Sequence, residues 1–241
     1  MKFLELDSPL MQGLNKLGDL LWLNVLTLVC CIPIVTIGPS LTAMHYIALK
    51  IARNEEGYIT RDFFKSFRRN LKQGIIIGLI LIFVLVVLAG DFLIINYSGL
   101  EFNGIIRSIL LAIFFLVMFA AMFVFPVLAK FDNTVFNTIK NAFLIGIAQL
   151  PKTILMMVLF AIPPLLFVFV PQIIPIVFMF GLSLPAWASA KLYNKYFRKL
   201  EEQIIERNAP EETENQAEEA EDERIFKDEL DPALQDDSHS N

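Results

Sequence analysis

Charged side chains are scarce in this sequence, and cysteine and histidine are scarcer still. Of its 241 residues, 19% are charged, and there are two Cys and two His. A soluble domain of this size has about 25% charged residues. Two cysteines exclude a small scaffold held by several disulfides. The net charge of −5 does not favour nucleic-acid binding.

The sequence instead contains long blocks of apolar residues. Hydrophobic residues make up 56% of the chain, and the mean hydropathy is +0.58. Uncharged runs cover residues 20–49, 73–90, 108–129 and 153–190. A helix needs ~20 residues to cross the hydrocarbon of a bilayer, and backbone groups in lipid must bond to one another. The sequence therefore predicts an all-α, polytopic bundle of membrane-spanning helices over residues 1–200.

Five spans account for these runs, and a sixth is an open alternative. The predicted spans cover about 17–37, 74–95, 108–128, 153–170 and 173–190. Pro33 interrupts the first of them, so residues 10–49 could instead hold a broken pair of helices. Five spans place the N-terminus outside the membrane, and six place it inside.

The loops predict the orientation of the spans. The connections at about 50–72 and 130–152 carry net charges of +4 and +2, and Lys191, Lys195, Arg198 and Lys199 follow the last span. The opposite connections carry little charge. The positive-inside rule then places both basic loops and the C-terminus in the cytoplasm.

An acidic tail follows the basic, apolar body. Residues 1–200 carry a net charge of +8, and residues 201–241 carry −13. A segment so acidic and so poor in aromatic residues cannot bury enough surface to fold alone. We expect a helical extension to about Asn208 and disorder beyond it, in a cytoplasmic tail that is either solvated or folded back on the basic loops.

The first cytoplasmic loop contains the most patterned polar segment, residues 60–72. On a helical wheel its basic residues fall on one arc and its aromatic residues on the opposite face. Thr60 is the predicted N-cap, and Asp62 suits the first turn. Two interpretations are open: an interfacial helix facing lipid phosphates, or a docking surface for a cytoplasmic partner. The residues of this candidate site are Arg61, Phe63, Phe64, Lys65, Phe67, Arg68, Arg69 and Lys72.

The second loop predicts a similar amphipathic helix. Its apolar face contains Val135, Phe136, Ile139, Ala142, Phe143, Ile147 and Leu150. Its polar face contains Asn133, Thr134, Asn137, Thr138, Lys140 and Asn141. Residues 64–68 and 136–140 are alike at a separation of 72 residues, which chance explains better than an internal repeat.

The sequence offers little chemistry for catalysis. It contains no metalloprotease motif, no nucleophile elbow and no phosphate-binding loop. Its two histidines are His45 and His239. Adjacent Cys30 and Cys31 fit apolar packing inside a span. We therefore expect no enzyme activity, no cofactor and no metal. Asp91 is the candidate polar residue within a span, either as part of a carrier site or reaching the outer headgroups.

Three stretches of the first half resemble a known family. Residues 33–44 (PIVTIGPSLTAM), 54–58 (NEEGY) and 62–70 (DFFKSFRRN) are similar to the signature stretches of the YesL-like family. Residues 140–143 and 150–151 also resemble its second loop. The resemblance covers roughly residues 1–200 and implies a bacterial plasma-membrane protein of unknown function, often encoded beside carbohydrate-uptake and carbohydrate-degradation genes. It implies no catalytic residues.

These observations lead to one expected function and one alternative. We expect a non-catalytic accessory or partner-binding membrane protein linked to carbohydrate uptake, with membrane lipids and subunits of an ATP-driven sugar importer as partners. The alternative is a small single-chain transporter or a permease-like subunit.

Overall fold

The computed structural model describes residues 9–55, 57–97 and 104–230, and within these ranges the protein is helical and has no strand. The predicted all-α class is confirmed. Two short 3₁₀ turns, Ile34–Thr36 and Pro171–Ile173, join helices. The α-helices of the described ranges are α1 (Pro9–Cys31), α2 (Ile37–Arg53), α3 (Ile59–Arg69), α4 (Leu71–Tyr97), α5 (Gly104–Lys130), α6 (Val135–Ala148), α7 (Leu150–Phe169), α8 (Ile174–Phe180) and α9 (Ser183–Leu230).

Several of these helices are long and apolar enough to cross a membrane. Five straight candidates lie in α1, the turn and helix Ile34–Arg53, α4, α5 and α7. A sixth consists of α8 and Ser183–Arg207 together, bent by 49°. The described chain therefore has the character of a multi-pass membrane protein.

The single first span predicted over 17–37 is wrong. Helix α1 ends at Cys31, and α2 begins at Ile37. Pro33 has no backbone N–H and cannot continue α1. The hydroxyl of Thr36 donates to the carbonyls of Cys30 (2.7 Å) and Pro33 (2.8 Å), which satisfies acceptors freed at the break. The alternative of a broken helix pair is the one that the structure shows.

Helix α2 lies at the centre of the molecule. Each of its residues is buried or half-buried. In the candidate span Ile34–Arg53, 56% of the most apolar stretch is buried inside the protein, compared with 11–22% in the four other candidate spans that consist of one helix. Helices α1, α3, α4 and α5 pack around it. Protein rather than lipid therefore surrounds most of α2.

Small residues let α2 cross α4 at close range. A side-chain carbon on Gly74 would lie 2.8 Å from the nitrogen of Pro39, and one on Gly78 would lie 2.9 Å from the Cα of Gly38. Gly74 and Gly78 form a G-x-x-x-G pair, which permits backbone contact between membrane helices. Both belong to the first third of α4, so the turn between α1 and α2 lies beside the beginning of α4 and not beside its far end.

A buried asparagine of α1 stabilises the break between α8 and α9. Asn24 is 1% exposed. Its Nδ2 donates to the carbonyl of Phe178 (2.8 Å), and its Oδ1 accepts from the backbone N–H groups of Leu182 (3.0 Å) and Ser183 (2.9 Å). Backbone groups freed by a bend inside lipid need such partners. Asn24 therefore supplies the bonds that an unbroken helix would have made itself.

The chain divides into two compact units, residues 1–194 and 195–241. In the second unit α9 continues to Leu230, further than the predicted helical extension to about Asn208. Glu, Ala and Gln have high intrinsic helix propensity, and the segment is rich in them. Residues 231–241, which complete the predicted acidic tail, lie outside the described ranges.

Candidate functional site

Helix α3 carries the residues that the sequence singles out in the first loop. It begins at Ile59, with Tyr58 at the N-cap position and no side-chain cap. The predicted N-cap, Thr60, is wrong: it lies inside the helix, and its hydroxyl accepts from the indole N–H of Trp22 at 2.8 Å. Asp62 occupies the first turn and forms an ion pair with Lys50 at 2.7 Å. Both contacts hold the start of α3 against α1 and α2.

The aromatic face of α3 turns toward the protein. Phe63 is fully buried, and its ring lies 5.6 Å from that of Phe64 and 6.3 Å from that of Phe67. Phe67 is half-buried, whereas Phe64 is 39% exposed. The buried Asn70 follows the helix, and its side-chain amide donates to the carbonyl of Ser66 at 3.0 Å. These contacts anchor α3 on its inner side.

The basic face of α3 is exposed. The four basic residues of α3 lie on the surface: Arg61, Lys65, Arg68 and Arg69. Lys72 is also exposed, but it belongs to α4, because α3 ends at Arg69 and α4 begins at Leu71. Arg69 forms an ion pair with Asp132, in the connection between α5 and α6. Among the described residues, the other four make no ion pair. The structure thus presents three positive charges without an ion pair on α3, which is anchored on its inner side, and a fourth on Lys72 at the start of α4.

Helix α6 follows its predicted faces only in part: Ala142 is fully buried and Lys140 is exposed, as predicted, but other residues are reversed. Thr138, assigned to its polar face, is fully buried, and the apolar Phe136 and Ile147 are 75% and 43% exposed. A side-chain carbon on Gly146 would lie 2.9 Å from the carbonyl oxygen of Phe119. Small residues of α6 therefore face α5, and bulky apolar residues face outward. Thr134 is its N-cap, with its hydroxyl 3.4 Å from the N–H of Asn137.

Asp91 lies in a pocket between α4 and α5 that also contains a base. The pocket has a volume of about 620 Å³, and among the described residues its charged lining consists of Asp91 and Arg107. Asp91 is half-buried, and Arg107 is exposed. The sequence indicated Asp91 alone, because Arg107 reads as an ordinary charge at the end of a span. Only the pairing of α4 with α5 brings the two into one pocket.

Other polar residues that the sequence left aside have structural positions. His45 is buried beside the ring of Phe160 (6.0 Å between centroids). Cys30 and Cys31 are free and half-buried. Asn24, which sequence reasoning missed, was visible only as a lone amide in an apolar run. Across the described ranges, His, Cys, Asp and Glu side chains form no group of three that could hold a metal ion.

One comparison with known proteins gives a match. A family model described as "Protein of unknown function, DUF624" matches residues 20–92. No curated protein and no solved structure matches. The matched segment contains α2, α3 and Asp91, whereas Arg107 and α6 lie beyond it. The segment that contains α2 and α3 is therefore similar to an uncharacterised family.

Proposed function

We propose that this protein is a non-catalytic membrane protein that binds a cytoplasmic partner through the basic face of α3. The observation that carries the proposal is the set of three exposed basic residues without an ion pair on α3, whose opposite side buries Phe63, together with Lys72 at the start of α4. Such a face attracts an acidic surface over a range of about 10 Å at moderate ionic strength. The rigid anchoring lowers the entropy that α3 would lose on binding.

The packing of α3 favours a protein partner over a role as a lipid anchor. An interfacial helix binds a bilayer by burying its apolar face among the acyl chains. In α3, Phe63 is already buried within the protein and cannot serve in this way. The remaining attraction to lipid is electrostatic, at about 1 kcal/mol for each basic residue near an anionic surface.

The resemblance to the YesL-like family supports the choice of partner. We propose the bacterial plasma membrane as the location and subunits of an ATP-driven sugar importer as partners, in an accessory role in carbohydrate uptake. The charge distribution of the loops supports a cytoplasmic C-terminus. A reporter fused after Lys199 should mark the cytoplasm, and one inserted near Ser98, which lies outside the described residues, should mark the opposite side. A reversed pattern contradicts this orientation.

Co-purification in a mild detergent tests the partner proposal. The test variant replaces Arg61, Lys65, Arg68 and Lys72 with Gln and keeps Arg69, which pairs with Asp132. The control variant removes four other exposed charges: Lys140, Lys195, Arg198 and Lys199. We expect importer subunits to accompany the wild type and the control and to be lost from the test variant.

Each other outcome of this experiment is informative. Equal recovery of subunits with both variants contradicts a role for the basic face. Loss of binding to anionic liposomes with unchanged co-purification supports the lipid interpretation. Repeated recovery of the chain alone, from the wild type as well, contradicts the accessory role.

The break between α8 and α9 favours the alternative function, a small transporter. Carriers often bind solutes at discontinuous membrane helices, where freed backbone groups meet the ligand. Here Asn24 fixes the geometry of such a break through its bonds to Phe178, Leu182 and Ser183. Purified wild-type protein in vesicles should then transport a sugar without other subunits, and Asn24→Leu should abolish transport. Vesicles that contain the intact protein and show no uptake contradict this alternative.

A further inference from the structure

The pocket between α4 and α5 combines apolar walls with one acid and one base. Nine of the eleven lining residues that the structure describes are apolar, and the other two are Asp91 and Arg107. Its volume of about 620 Å³ lies within the range of roughly 300–1,000 Å³ that is typical of small-molecule sites. The pocket therefore suits a molecule that is mostly apolar and bears separate charges of both signs.

The two charged side chains are available to a ligand. Within the described part of the chain, neither Asp91 nor Arg107 makes an ion pair or a hydrogen bond through its side chain. A charged group beside apolar walls loses hydration and gains when a partner of opposite sign binds it. The pocket thus offers an acceptor for a cation and a bidentate donor for an anion.

The position of the pocket along the helices indicates where the ligand comes from. Asp91 lies six residues before the end of α4 at Tyr97, and Arg107 lies three residues after the start of α5 at Gly104. At 1.5 Å per residue, these positions are ~9 Å and ~5 Å from the helix ends. In helices of 27 residues that span a bilayer, this is the depth where hydrocarbon meets the headgroups.

We propose that this pocket binds a membrane phospholipid with a phosphoethanolamine headgroup. The guanidinium of Arg107 binds the phosphate, for which its planar donor array is suited. The carboxylate of Asp91 accepts hydrogen bonds from the primary ammonium. The apolar residues of both helices, such as Leu88 and Leu110, contact the beginning of the acyl chains.

The same chemistry distinguishes this lipid from other phospholipids. Phosphatidylglycerol carries the phosphate but has no cation for Asp91. Phosphatidylcholine has a cation, but its quaternary nitrogen has no N–H to donate. The pocket should therefore prefer phosphatidylethanolamine to both, and the preference should depend on Asp91.

Native mass spectrometry of the full chain in detergent tests the proposal. The three lipids are added separately, with the same acyl chains. We expect the wild type to bind phosphatidylethanolamine about tenfold more tightly than the other two, which corresponds to ~1.4 kcal/mol. Arg107→Gln should weaken binding of all three lipids about tenfold. Asp91→Asn should bring phosphatidylethanolamine down to the level of phosphatidylglycerol.

Ser108→Ala is the matched control, because Ser108 neighbours Arg107 but its hydroxyl donates to the carbonyl of Gly104 at 3.0 Å. It should leave all three affinities unchanged. Equal binding of the three lipids to the wild type overturns the proposal, as does a preference that survives Asp91→Asn. The ranking of lipids by the wild type is decisive even if a variant fails to fold. It is also independent of α3, so it does not depend on the proposed function.

Discussion

Helices α3 and α6 hold equivalent places in the chain and expose opposite kinds of surface. Each is short, and each ends two residues before the start of a long apolar helix, α4 or α7. On α3 the phenylalanine Phe63 is buried, and basic residues are exposed. On α6 the small Gly146 contacts α5, and Phe136 is exposed.

The difference follows from two packing rules. A helix in contact with water buries its large apolar residues, because the hydrophobic effect favours their removal from water. A helix in lipid gains nothing from that burial, so its interface takes small residues and its bulky ones face the acyl chains. Helix α3 follows the first rule and α6 the second. The exposed Phe136 and Leu144 of α6 are what the second rule describes, although Asn137 and Lys140 of the same helix are exposed as well.

The largest expected effect comes from filling the contact between α6 and α5. Gly146→Leu places side-chain atoms against the backbone of Phe119, which cannot yield easily. We expect a loss of about 3 kcal/mol, seen as a fall in the midpoint of heat unfolding in detergent. Gly90→Leu is the control, because nothing lies within 4 Å of a side-chain carbon there. Equal midpoints for the two variants would show that α6 does not depend on this contact.

Placing a charged residue on α6 and an apolar residue on α3 should give the next largest effect. Leu144, on the outer side of α6, is 52% exposed. If it faces lipid, Leu144→Lys should cost ~2 kcal/mol. The converse change on α3, Lys65→Leu, should stay within about 0.5 kcal/mol, because Lys65 is an exposed residue. Similar costs for both changes, measured by the same unfolding midpoint, would remove the distinction between the helices.

Substitutions at the N-caps of α6 and α3 should have smaller effects on stability, and the two effects should have opposite signs. Helix α6 has a side-chain N-cap in Thr134, and α3 has none. Thr134→Ala should destabilise the protein by ~1 kcal/mol. Tyr58→Ser should stabilise it by ~0.5 kcal/mol, since Tyr58 has the extended backbone of an N-cap. Unfolding midpoints that shift in the same direction would contradict this account.

The smallest effect is expected at the ion pair that joins the two regions. The side chains of Arg69 and Asp132 are 62% and 82% exposed. A double-mutant cycle with Arg69→Gln and Asp132→Asn should give a coupling below about 0.5 kcal/mol, and salt should reduce it further. A coupling several times larger would mean that the pair fixes α3 relative to the connection after α5.

The features that the sequence predicted best are those with a local signal. Spans 74–95 and 108–128 fall within α4 and α5, and span 153–170 ends one residue beyond α7, because long apolar runs have few alternatives in lipid. The features that the sequence predicted worst are those that depend on which helix packs beside an element. Pro33 left a broken first span open as an alternative, but only the contact of Gly38 with Gly74 and Gly78 placed the break beside the start of α4. The predicted faces of α6 were wrong at Thr138, Phe136 and Ile147, because periodicity identifies two faces without saying which is inside.

The candidate sites divide in the same way. The basic arc of residues 60–72 is a property of thirteen consecutive residues, so helical periodicity alone predicted its two faces, although the structure divides these residues between α3 and α4. Arg107 joined Asp91 only through the pairing of two helices whose nearest ends are separated by residues 98–103. No local pattern encodes such a pairing.

The sequence by itself determined the class of this protein: long apolar runs require helices in a bilayer, because backbone groups there have no other partners. It also determined that residues 61–72 carry positive charge on one side. Only the tertiary structure decided that α2 is the buried centre, that Asn24 bridges the broken span, and that an acid and a base share one pocket. Those features depend on which helices touch, and contact between distant segments is set by packing rather than by local composition.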